Sequence, residues 1–126
     1  RVAGAAYVDA LLNQRNALAH KMAQFHARFD LLLTPTLPLP AFEVGMNTPG
    51  HGAYGDDWTR WTPFTYPFNI TQAPAISLPC GLTGAGLPAG LQLVGAFGRD
   101  ALVLRAAAAF ETARPFARID APVGTA

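Results

Sequence analysis

The placement of proline and glycine sets the plan of this chain. Residues 35–68 contain Pro35, Pro38, Pro40, Pro49, Pro63 and Pro67, with Gly45, Gly50, Gly52 and Gly55 between them. Proline lacks an N–H and glycine has no side chain to restrain it, so regular structure is not expected over most of this length. Helices and strands are confined to the flanking segments. The stretch also holds Phe42, Tyr54, Trp58, Trp61, Phe64, Tyr66 and Phe68. Disordered segments are poor in aromatics, so this reads as a long loop packed against a surface. Loops of that length in compact domains are usually functional.

Before the loop, Val8, Leu11, Leu12, Leu18, Met22, Phe25 and Phe29 recur at three- and four-residue spacing, which predicts a helix over 4–29. Leu31-Leu32-Leu33-Thr34 follows, a continuous apolar run that suits a strand buried on both faces, and Pro35 stops it. After the loop, Ala75-Ile76-Ser77-Leu78 and Gly90-Leu91-Gln92-Leu93-Val94-Gly95 read as two strands of an antiparallel hairpin joined through a Gly-rich connection. A last helix is expected over 101–113, with Asp100 as N-cap, Leu104, Ala107, Ala108 and Phe110 on its buried side, and Pro115 as its stop.

The chain has 126 residues, enough for one domain. Hydrophobic residues make up 51% and charged residues 13%, the latter against a typical share of about 25%. A small free-standing body needs more polar surface than this. The expectation is therefore a piece of a larger body, with apolar faces and unpaired sheet edges that favour self-association, so a homo-oligomer is expected. The net charge of +1 comes from scattered basic residues. That gives no footprint for nucleic acid or an anionic membrane. No apolar stretch reaches the roughly 18 residues of a membrane span. Arg1-Val2-Ala3-Gly4 lacks the plan of a signal peptide, and the single Cys80 allows no internal disulfide. Cytoplasm is the expected location, and the glycosylation sequon at Asn69-Ile70-Thr71 carries little weight there.

Several motifs reduce to structural readings. Gly84-x-Gly86-x-x-x-Gly90 has its third spacing one residue too long for a dinucleotide loop, and a strand follows it where a helix N-terminus would be needed. His20 and His26 are six apart on one helix, whereas a metal pair needs three or four. His51 lies alone in the loop, between two glycines. Cys80 reads as a small buried residue at a strand end, a nucleophile only if a histidine lay beside it. Ser77 lies mid-strand rather than on a sharp exposed turn and reads as structural. No metal and no cofactor is expected.

Four segments between Asp30 and Glu111 together resemble the C-terminal region of the amidase-signature family. They are Asp30-Leu31-Leu32-Leu33-Thr34-Pro35-Thr36, the run from Pro67 through Asn69-Ile70-Thr71-Gln72-Ala73-Pro74-Ala75 to Pro79-Cys80-Gly81, the block Gly86-Leu87-Pro88-Ala89-Gly90-Leu91-Gln92, and the last helix with Leu104 and Glu111. The resemblance implies an α/β fold, here a fragment of a mixed β-sheet covered by helices, with a long N-terminal helix, buried strands and a C-terminal helix. It implies amide hydrolysis by acyl transfer, in which a serine attacks, a second serine in a cis peptide relays protons, and a lysine acts as base. That triad needs two serines, and this chain has one, Ser77, beside one lysine, Lys21. No catalytic residue is therefore expected within 1–126, which reads as the C-terminal segment of an amidase-signature domain with the N-terminal catalytic segment absent. The alternatives are the A subunit of a tRNA-dependent amidotransferase and a non-catalytic scaffold or binding module.

Two departures from the family pattern matter. Gln72 stands where the family usually has glycine, so a positive φ there would strain it by about 1–2 kcal/mol. Thr62 stands where the amidotransferase protein has an acid that holds the amino group of glutamine, which argues against glutamine as substrate. The resemblance places the aromatic loop beside the active site. Trp61, Thr62 and Phe64 are the expected substrate-pocket residues, facing a small amide.

Overall fold

The computed structural model describes residues 4–50, 54–55, 57 and 59–116. Trp58 and His51 lie outside the described residues. The first helical region comprises α1 (Gly4–Asp9), a π-helical turn (Ala10–Gln14) and α2 (Arg15–His26). The strong helix formers Ala, Leu, Lys, Met and Gln fill α2. The π-helical turn interrupts the single helix expected over 4–29. Val8, Leu11, Leu12 and Phe29 of the anticipated apolar face are exposed.

Three strands follow the order β1-β3-β2: β1 (Leu31–Pro35), β2 (Ala75–Leu82) and β3 (Pro88–Gly95), both pairings antiparallel. Leu33 pairs with Leu93 and Thr34 with Gln92, while Ser77 meets Gln92 from the other side. The 75–95 hairpin is as expected, with strands longer than the bare apolar runs. Its turn is closed by the Thr83 N–H to the Leu87 carbonyl at 2.8 Å, and Gly86 takes φ +79° there. A register shift falls between Pro79 and Gly81. Proline offers no N–H to the ladder, so the extra residue, Cys80, is accommodated as a bulge. Cys80 is exposed there, rather than buried at a strand end.

Alternation sends Leu31, Leu33, Ile76, Leu78, Leu91 and Leu93 to one face of the sheet. Helix α4 (Asp100–Ala113) packs on that face, and Leu78, Leu93, Val103 and Ala107 form the buried core with Phe110 against it. Two expected core residues, Leu104 and Ala108, point outward, because the helix is rotated to seat Val103 and Ala107. Asp100 sits in the first turn, one position inside the cap, which is Arg99, and makes no capping bond. Its carboxylate still lies at the favourable end of the helix dipole. Gly95 is buried beneath the helix, where a Cβ would come within 2.6 Å of Val103 Cγ2. Leu33 is 57% exposed, so β1 is not covered on both faces.

Candidate functional site

The opposite face carries Leu32, Thr34, Ser77, Gln92 and Val94. Apolar periodicity emphasises the leucines of these strands, but this face holds a row of polar side chains. Gln92 is 5% exposed. Its Nε2 donates to Thr34 Oγ1 at 3.0 Å and to the carbonyl of Phe64 at 2.8 Å. A carbonyl can only accept, which fixes the nitrogen of the amide toward Phe64. One step along the strands, Thr36 Oγ1 and Ser77 Oγ lie 2.7 Å apart. A Cβ on Gly90 would come within 2.7 Å of Thr36 Oγ1 and 3.1 Å of Ser77 Oγ. Gly90 is not in a positive-φ conformation. Space, not backbone freedom, is its reason for being glycine.

The aromatic loop lies on this face through the Gln92–Phe64 bond. It gives way to a short helix, α3 (Tyr66–Thr71), whose Phe68 is buried. Pro67 near its start suits the first turn of a helix, where its missing N–H leaves no gap. Arg15 Nε donates to the Ile70 carbonyl at 3.0 Å and ties α2 to the C-terminal end of α3. Gln72 ends α3 with φ 57° and ψ 30°, the positive φ anticipated at the residue that replaces glycine.

The three expected pocket residues are held in this loop. Trp61 meets Phe42 edge-on at 5.3 Å between ring centroids, and its buried Nε1 has no hydrogen-bond partner. The Thr62 hydroxyl donates to the Thr59 carbonyl at 3.2 Å, and the Thr62 carbonyl accepts from the Thr65 hydroxyl at 3.0 Å. Phe64 contributes its main-chain carbonyl to Gln92. None of the three lines a groove of about 730 Å³ bounded by 33–41, Ser77, Cys80, Thr83 and 88–91. Sequence reasoning missed this groove. Ser77 and Gly90 fall on strands otherwise apolar and Thr36 just past the end of β1, and only the strand pairing, with the Thr36 N–H donating to the Gly90 carbonyl at 2.9 Å, brings them together.

Ser77 is bonded to Thr36 rather than to a base, and Lys21 is exposed on α2. Cys80 Sγ is 3.5 Å from the Ala89 carbonyl. His20 bonds Gln24 and His26 bonds the Phe29 carbonyl, so the two histidines serve separate local contacts. No group of three or more His, Cys, Asp or Glu that could hold a metal occurs among the described residues. No helix among them is long and apolar enough to cross a membrane.

A helix-covered antiparallel sheet with a polar inner face, fed by a proline-rich aromatic loop, matches part of the α/β core of amidase-signature enzymes. Over 91% of this chain it superposes on 26% of 6-aminohexanoate cyclic dimer hydrolase with a TM-score of 0.75 and 33% identity. The family model described as Amidase matches residues 2–104, and the chain belongs to that family. An acylamidase of Rhodococcus erythropolis is 44% identical over 92 residues, 71% of this chain and 19% of its own length. The A subunit of the glutamyl-tRNA(Gln) amidotransferase of Thermus thermophilus is 39% identical over 129 aligned positions, 99% of this chain and 26% of its own. The chain thus spans about a quarter or less of these relatives.

Proposed function

We propose that this chain is the C-terminal segment of an amidase that hydrolyses a small carboxamide to carboxylate and ammonia, with the Ser–cis-Ser–Lys triad outside residues 1–126. Family membership supports the chemistry. One observation supports the location of the triad: the single serine, Ser77, is mid-strand and bonded to Thr36, with no base beside it. Acyl transfer needs a nucleophile within hydrogen-bond reach of its base and donors aimed at the developing oxyanion. This segment supplies instead a sheet face and a wall. The test is ammonia or arylamine release from a panel of amides at high protein concentration. No turnover is expected, and turnover abolished by Ser77→Ala would overturn the assignment.

A second reading, the A subunit of a tRNA-dependent amidotransferase, is favoured by the match to the Thermus protein over 99% of the chain. Thr62 weighs against it. A neutral hydroxyl already engaged with Thr59 offers no charge to the ammonium of glutamine. Glutamine as the best substrate of the longer enzyme would reverse that preference.

A further inference from the structure

At the joint between α1 and α2, the Arg15 N–H bonds the Ala10 carbonyl, five residues back rather than four. One extra residue in a helical turn rotates everything before it by about 100° relative to an unbroken α-helix. In an unbroken helix Val8, Leu11, Leu18, Met22 and Phe25 would share one face. The apolar stripe is divided at the turn. Leu18, Met22 and Phe25 on α2 are half-buried, whereas Tyr7, Val8, Leu11 and Leu12 are exposed. Turns of this kind are rare, occur mostly as single insertions in α-helices, and are frequent at functional sites. Here a side-chain clamp accompanies the turn. Asn13 Nδ2 donates to Asp9 Oδ1 at 2.7 Å, and Gln14 Nε2 donates to Asp9 Oδ2 at 3.0 Å. An α-helix sets residues three and four apart side by side and turns the fifth away. The wider π turn brings Gln14 back over Asp9. The two sides of the joint are held unequally. Arg15 Nε donates to the Ile70 carbonyl and seats α2, while α1 buries no residue. A change of register in the turn therefore moves α1 and leaves α2 in place.

We propose that residues 9–15 form a two-register joint. With Asp9 clamped to Asn13 and Gln14, the π register holds α1 out of line with α2. With the clamp released, the Arg15 N–H transfers to the Leu11 carbonyl, and α1 rotates to bring Val8 and Leu11 into line with Leu18 and Met22. The polar clamp favours the first register, and the apolar periodicity of the sequence favours the second. Each register gives the Arg15 N–H an acceptor, so the exchange trades one carbonyl for another.

The test is the N–C′ coupling across the Arg15 hydrogen bond in the isotope-labelled 126-residue chain, which identifies the acceptor directly. In the unsubstituted chain the coupling should be to Ala10. Gln14→Ala removes the contact specific to the π register. The ratio of Ala10 to Leu11 coupling should then fall by about twofold or more, the size expected for one exposed side-chain pair on a helix. Asp9→Ala removes both contacts and should shift the ratio at least as far. Adding Gln14→Ala to Asp9→Ala should change nothing further. The chemical shifts of Ile70 and Met22 should stay in place while those of Tyr7 and Val8 move. A coupling to Leu11 in the unsubstituted chain, or an unchanged ratio in both single variants, would overturn the proposal. So would loss of both couplings on releasing the clamp, because the clamp would then hold the helix together rather than choose its register.

Discussion

The side-chain amide of Gln92 donates to the main-chain carbonyl of Phe64 at 2.8 Å, across 28 residues of sequence. The same nitrogen donates to Thr34 on β1. One buried side chain on the central strand thus holds both a neighbouring strand and the aromatic loop. Replacing it with leucine keeps the volume and leaves the Phe64 carbonyl without its donor. Gln92→Leu should lower stability by about 1–3 kcal/mol, read from urea unfolding midpoints. Amide exchange in 61–65 should rise more than in α4. An unchanged loop would show that Phe42 against Trp61 anchors it instead.

The close approach of Gly95 to Val103 gives a second test. A Cβ at 95 would meet Val103 Cγ2 at 2.6 Å, below any ordinary contact. Gly95→Ala should therefore lose about 1–3 kcal/mol through overpacking. Val103→Ala alone opens a cavity and also destabilises. The double variant should be less destabilised than the sum of the two, because each change relieves the other. Additive losses in thermal unfolding would mean that α4 shifts as a unit to make room.

Much of this fold was legible in the sequence. The hairpin, β1 and α4 follow from apolar runs bounded by Pro35, Pro74 and Pro115, since proline removes a donor that a continuing helix or ladder would use. Rotation of α4 was not legible: Leu104 and Ala107 are both apolar, and only the space under Gly95 decides that Val103 faces inward. The π-helical turn at 10–14 has no apolar signature of its own. The polar row was hidden for a different reason. Thr34, Ser77 and Gln92 are 43 and 15 residues apart along the chain, and their meeting depends on register. The expected pocket residues Trp61, Thr62 and Phe64 stand out in the sequence as a cluster of types, but types alone do not aim a side chain.

Asp57 makes a local prediction about pH. Its carboxylate accepts from the Thr59 hydroxyl at 2.7 Å and the Thr59 N–H at 2.9 Å, with Arg60 at 3.8 Å. The hydroxyl bond, then the N–H bond, hold its pKa below the ordinary aspartate value, with a smaller contribution from Arg60. Because the folded value is depressed, the turn is favoured above the unfolded pKa and loses that support as pH falls through the folded one. The carboxyl is exposed, so the effect should be confined to this turn. Thr59→Ala should move the carboxyl titration, followed by carbon chemical shift, back up toward the ordinary value. An unchanged titration would mean that the Asp57–Thr59 contact is not populated in solution.

Gln72 offers the test with the clearest sign. It is the only non-glycine residue with positive φ among the described residues, at φ 57°. Its N–H reaches back to the carbonyls of Phe68 and Asn69, and Ala73 N–H bonds Phe68 at 3.0 Å, so the left-handed residue is what closes α3 before Pro74. The geometry is therefore demanded by its neighbours and is not a choice of the side chain. For an L-residue the left-handed region costs about 1–2 kcal/mol. Glycine avoids that strain, but gives up about 0.4–1 kcal/mol by widening the unfolded ensemble. The strain is the larger of the two, so Gln72→Gly should stabilise the chain by about 0.5–1 kcal/mol, and Gln72→Asn by a smaller amount in the same direction. Gln72→Ala should be close to neutral, because alanine keeps the strain, and this separates a backbone effect from loss of a side-chain contact. The measurement is the urea midpoint of all three variants. A Gln72→Gly variant less stable than Gln72→Ala would mean that the entropy of the unfolded chain, not strain at the helix end, decides this position.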